Sequence, residues 1–131
     1  QKIDRQEIIG AVEAAKMWMN INHEDRLAKA EKLCIKIASY IKDIDGIEVE
    51  VQENTLGHDP HGVKITLTKE GATLMDVQNA LRDGDPRIWI RCDQDMDGNF
   101  NGNLTRISPF GLYDGEEDVV GRRLSEELRK I

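Results

Sequence analysis

Apolar residues recur at three- and four-residue steps from Ile8 to Ile44 and at every second position after Ile47, so the chain opens helical and then turns extended. The first predicted helix runs from about Asp4 to Asn20 and carries Ile8, Ile9, Val12, Ala15 and Met19. Asp4 is its N-cap, and Glu7 three residues on completes a capping box. In the second helix Leu27, Ala30, Cys34, Ile37, Ile41 and Ile44 form the buried face, while Lys29, Glu31, Lys32, Lys36 and Lys42 read as solvated surface. Gly46 is expected to end this helix in a left-handed conformation. Ile47, Val49 and Val51 then alternate with Glu48, Glu50 and Gln52, a loop spans Asn54 to Gly62, and Val63, Ile65 and Leu67 alternate again, which predicts an antiparallel pair. A short helix follows from about Thr73 to Arg82, halted by Asp83, Gly84, Asp85 and Pro86. Ile88 to Arg91 read as a third strand, paired with a short extended piece from Leu104 to Ile107. The final helix, Glu116 to Lys130, sets Val119, Val120, Leu124 and Leu128 on one side, with acids in its first turn and bases in its last.

This order predicts an α+β fold in which a small, mainly antiparallel sheet is covered by helices. All 131 residues are expected to form one domain, with a leading helix pair over 1–45 and the sheet with its helices over 46–131. Gly10, alone inside the first helix, is expected to permit close packing. The formal net charge of -7 and the lack of a basic run argue against nucleic acid as a partner. No apolar stretch approaches the roughly 20 residues of a membrane span, and the start lacks the layout of a secretory signal. A cytosolic protein is the expectation. Cys34 and Cys92 are too few and too far apart for a disulfide framework or a zinc motif and read as small packing residues.

Three segments bring a family into view. Lys2-Ile3-Asp4-Arg5-Gln6-Glu7-Ile8-Ile9-Gly10 resembles the stretch that follows the cofactor domain in relatives of selenocysteine synthase. Leu81 to Arg91 resembles that family's Leu-Arg, its Gly-Asp-Pro turn and a short strand ending in Arg; Asn103-Leu104, Pro109, Leu112 and Asp114 to Glu117 match how such chains end. The chain is similar to the C-terminal small domain of fold-type I pyridoxal-phosphate (PLP) enzymes, the group that includes selenocysteine synthase and D-glucosaminate-6-phosphate ammonia-lyase. The resemblance implies a lyase or transferase acting on an amino-acid-type substrate. It also implies that the cofactor lysine lies in a preceding large domain, that the isolated chain binds no PLP and is inactive, and that the intact enzyme is a homo-oligomer. It makes Arg91 the arginine that holds the substrate carboxylate, because a guanidinium fork matches carboxylate geometry. Arg91 could instead pair with a surface acid such as Asp93, and Arg87, on the same face, could serve in its place or read as solvated surface.

Other patterns compete. Asp93, Asp95, Asp97 and Gly98 begin like a calcium loop, but Leu104 stands where a bidentate Glu belongs and a strand precedes the loop where a helix should. An acidic hairpin turn is the simpler reading, and a stand-alone calcium-binding or regulatory module is the alternative to the PLP domain. His58 and His61 are three residues apart in a loop, and His23 lies elsewhere. Without a third ligand they read as solvated. Met17, Trp18 and Met19 read as core or interface packing.

Overall fold

The computed structural model describes residues 4–53, 61–94, 100–109 and 111–131, and for residues 93, 94, 100 and 101 the backbone alone. Asp4 caps helix α1 (Arg5–Asn20) as expected: its carboxylate accepts the Glu7 N–H at 2.9 Å, and its own N–H donates to the Glu7 carboxylate at 3.1 Å. None of the residues of α1 is buried. Gly10 therefore permits no close packing, since a Cβ there would meet nothing within 4 Å. Asn22 caps α2 (His23–Ile41) by accepting from the Glu24 and Asp25 N–H groups. This helix stops short of the end predicted at Gly46. The Ile44 N–H closes a turn on the Ile41 carbonyl, and Gly46 (φ +76°) supplies its left-handed conformation to the entry into the sheet. Leu27, expected in the core, is exposed, because the buried stripe at this end begins instead with half-buried Arg26, Ala30 and Leu33.

Strands β1 (Ile47–Glu53) and β2 (His61–Leu67) pair antiparallel with Val49 opposite Ile65. Thr73 caps α3 (Leu74–Asp83). The third strand differs from expectation: β3 is Cys92–Gln94, and residues 88–91 lie outside the sheet. The backbone explains the shift, since the Ile88 N–H is taken by the Leu81 carbonyl at the end of α3. Strand β4 (Phe100–Ile107) begins earlier than the expected Leu104 and pairs with both β3 and β2, giving a sheet of order β1-β2-β4-β3. Helix α4 (Glu116–Leu128) closes the chain.

The expected α+β layering is present. Cys34, Ile37 and Ile41 of α2, Leu74, Val77 and Leu81 of α3, and Val120, Leu124 and Leu128 of α4 pack with Val63, Ile65, Leu67, Cys92 and Ile107 of the sheet. Among the described residues, no helix is long and apolar enough to cross a membrane.

Helices α2 and α4 meet closely at Gly121, which a β-carbon would spoil: it would run into Tyr40 Cδ2 and stand 2.9 Å from Tyr40 Cγ. The Tyr40 hydroxyl donates to Asp118 at 2.7 Å, and the Lys36 ammonium bonds Asp118 at 2.7 Å and buried Glu117 at 3.1 Å. Lys36 and Lys29 of α2 are thus cross-helix partners of α4 and its lead-in, where a merely solvated face was expected.

Two outcomes follow from this contact. Gly121→Ala should gain up to ~1 kcal/mol of helix propensity yet destabilise the protein by about 1–3 kcal/mol through overpacking against Tyr40. Urea denaturation reads the sum, and an unchanged or higher midpoint would show that the helix spacing is set elsewhere. The second concerns acid. Lys36 and then Tyr40 hold the Asp118 carboxyl below its ordinary 3.8, and the backbone N–H of Glu117 itself, then Lys36, hold Glu117 below 4.5. Both folded-state values lie below the unfolded ones, so their stabilisation is complete above the unfolded values and is lost as pH falls through the folded ones. The melting temperature should drop on acidification below about pH 4.5, and less steeply in Lys36→Met.

Candidate functional site

Between α3 and β3 the chain is tied on two sides. The Ile88 N–H bonds to the Leu81 carbonyl at 2.9 Å, the Cys92 N–H to the Gln78 side-chain oxygen at 2.9 Å, and the Arg91 carbonyl accepts the buried Thr105 hydroxyl at 2.7 Å. Exposure alternates along this stretch. Ile88 and Ile90 are half-buried and Cys92 is buried, whereas Arg87, Trp89 (77% exposed) and Arg91 are exposed. Two cations flanking an aromatic ring therefore share the outer side of a backbone held from α3 and β4.

A groove of about 430 Å³ runs along this segment, walled by Arg87, Ile88 and Ile90 on one side and by Leu112, Glu116 and Val120 on the other. Arg87 lines the groove; Arg91 does not. The structure thus keeps Arg91 on the outer side with Arg87, as the alternation predicts, but brings only Arg87 to the concavity. A smaller pocket of about 130 Å³ lies across Ser108 and Leu112, residues that line both depressions. It holds Arg26 and His61, which sequence reasoning missed as site residues. The signals were present: the alternation of Val63, Ile65 and Leu67 run back one step reaches His61, and the helical stripe of Ile37, Leu33 and Ala30 run back reaches Arg26.

His61 is only 8% exposed and opens β2, so the solvated-loop expectation fails for it. His23 packs on Trp18 with ring centroids 4.6 Å apart, and His58 lies outside the described residues. The Asp95 and Asp97 positions also lie outside them, as does the side chain of Asp93. Among the described residues no group of His, Cys, Asp and Glu could hold a metal. Cys34 and Cys92 are fully buried, and burial raises both thiols, that of Cys34 to about 11. They are packing residues, as expected, and far from the thiolate a nucleophile requires.

No family model matches the chain. The chain is 26% identical over 129 residues to a 5'-C-glycyluridine monooxygenase-decarboxylase from Streptomyces sp., a match to 97% of this chain and 31% of that protein. Its fold matches the structure of D-glucosaminate-6-phosphate ammonia-lyase with a TM-score of 0.64 and 19% identity, over 98% of this chain and 33% of that one. The chain spans about a third of the length of both proteins and has the fold of one part of the ammonia-lyase, in line with the resemblance read from its residues.

The Thr105 hydroxyl is the inner anchor of this segment. Thr105→Val keeps its shape and removes the bond to the Arg91 carbonyl, so it should cost about 1–2 kcal/mol. Denaturant unfolding measures this, and a loss below about 0.5 kcal/mol would mean that the anchor contributes little.

Proposed function

We propose that the chain is the C-terminal domain of a PLP-dependent lyase or transferase acting on an amino-acid-type substrate, in which Arg91 holds the substrate carboxylate and the domain closes over the active site. The observation that carries this reading is the match of almost the whole chain to a third of an ammonia-lyase. The pinned backbone supports the role of Arg91. A carboxylate grip needs a guanidinium whose base is fixed, and the bonds from Gln78 and Thr105 hold the Arg91–Cys92 backbone while leaving the side chain on the outer side. Arg87 and Trp89 on the same side add a second cation and a flat apolar surface to whatever faces them.

PLP supplies the electron sink in such enzymes. Neither the groove nor the smaller pocket offers it a free amine. No lysine lines the larger groove, and Lys29, at the smaller pocket, is held charged by the Asp114 carboxylate 2.8 Å away, the opposite of what an amine nucleophile needs. On this reading the cofactor belongs to a large domain preceding these residues. The same domain, or its copy in a homo-oligomer, would cover the apolar face of α1, where Ile8, Ile9 and Val12 are exposed.

The test uses the full-length protein saturated with PLP and a panel of amino acids and 2-amino sugar acids, followed through the cofactor absorbance. Arg91→Lys and Arg91→Gln should leave cofactor binding intact and raise the half-saturating substrate concentration roughly 10- to 100-fold, the worth of one charge-assisted bidentate contact. Normal saturation in Arg91→Gln would remove Arg91 from the grip. A full-length protein that takes up no PLP would remove the enzyme reading itself.

A further inference from the structure

The smaller pocket presents two buried polar atoms that no described residue satisfies. Its walls come from α2 (Arg26, Lys29, Leu33), the first residue of β2 (His61) and the turn around Ser108 and Leu112. The Nε of Arg26 and the Nδ1 of His61 are both buried, and neither has a hydrogen-bond partner among the described residues. His61 is more than nine-tenths buried. Two such orphans on separate elements, lining one cavity, destabilise the fold unless something pairs with them. Such groups ordinarily have a partner that completes them.

The charge around them narrows the class of that partner. Arg26 has no carboxylate partner among the described residues, although acids outnumber bases in this chain by 25 to 18. Its guanidinium lies 5.0 Å from the centre of the Trp18 ring, and that ring packs against His23. The stacking directs the guanidinium without neutralising it. Lys29 at the rim is already paired with Asp114 at 2.8 Å and brings no unbalanced charge. The cavity holds about 130 Å³, well above the roughly 30 Å³ share of one water in the liquid. A water would satisfy the donors, whereas an anion would also neutralise the arginine.

We propose that this pocket is an oxyanion site, in which Arg26 and His61 bind a phosphate, a phosphoryl group or a carboxylate. His61 serves as a donor in the tautomer or charge state that places its proton on Nδ1. The site is separate from the groove beside Arg87 and does not depend on Arg91 or on PLP. Because Ser108 and Leu112 form a common wall, a molecule with two anionic groups could place one at each depression.

The experiment titrates the full-length protein, as isolated, with inorganic phosphate and, separately, with acetate, following the His61 imidazole by ¹H–¹⁵N NMR and the affinity by calorimetry. Phosphate should shift the His61 ring resonances saturably, with a Kd in the millimolar range. Arg26→Gln should weaken binding roughly tenfold or more, the loss of one charge-assisted hydrogen bond, and Arg122→Gln, at an exposed position on α4, should leave it unchanged. Tighter binding of phosphate assigns a phosphoryl site, and tighter binding of acetate a carboxylate site; either upholds the proposal. His61 resonances that ignore both anions, or an affinity that Arg26→Gln leaves intact, would overturn it. Half-buried Arg26 lies at the edge of the core, so this variant reports even if His61→Asn fails to fold.

Discussion

The close approach of α2 and α4 at Gly121 is the constraint on which the rest of the arrangement depends. Glycine is a poor residue for a helix interior, and here its missing side chain is the space that the Tyr40 ring occupies. Once the ring is there, its hydroxyl reaches Asp118, Lys36 reaches both Asp118 and Glu117, and Glu117 turns back to accept the Gly115 N–H at 2.8 Å. The first turn of α4 is thereby fastened to the C-terminal half of α2. The turn that leads into it, from Ser108 to Glu116, contributes the wall shared by the two depressions. A packing choice in the helix layer thus determines where both concave surfaces lie.

A second set of contacts acts within the sheet and at its junction with α3. Thr105 stands opposite Ile65 on one neighbour and Cys92 on the other, and all three are fully buried. A hydroxyl buried there requires an acceptor, and it finds the Arg91 carbonyl, one residue before β3 begins. Gln78 of α3 supplies the acceptor for the next N–H. The ladder is therefore delayed to Cys92, and the price of fewer strand bonds is a segment whose outward side chains have a fixed base. Rigid support of this kind is what an arginine needs if it is to meet a planar anion in one geometry.

Much of this was legible in the sequence, and the failures have physical causes. The capped first helix, the β1–β2 pair and the buried cysteines follow from local pattern, because period and capping are properties of adjacent residues. Residues 88–91 alternate like a strand and have the side-chain exposure of one, but their backbone bonds go to α3 and to a threonine side chain, which periodicity does not report. The ends of the core stripes misled in another way. Arg26 and His61 continue the buried periods of α2 and β2, yet a polar residue at such a position reads as the end of a stripe. Leu27 beside Arg26 drew the apolar assignment that belonged to the arginine's position. The residues proposed to hold the anion thus fall where burial and polarity conflict, as sites that trade stability for binding do.

The same contrast bears on α1. The core beneath α2, α3 and α4 is complete without it, and its apolar residues Ile8, Ile9, Val12, Met17 and Met19 remain exposed. A capping box adds on the order of 1 kcal/mol to a helix, and an isolated helix of α1's 16 residues is marginal in water. Its end is nonetheless built into the chain's own structure: the Trp18 carbonyl accepts the Ile21 N–H, and the Trp18 ring packs against His23 and beneath Arg26. That join connects the outward apolar helix to the wall of the smaller pocket. A partner domain that seized α1 would press on Trp18, and through it on the guanidinium proposed to hold the anion. If the proposed PLP-enzyme reading holds, contact of that domain with α1 and occupancy of the pocket would be coupled through a single tryptophan ring.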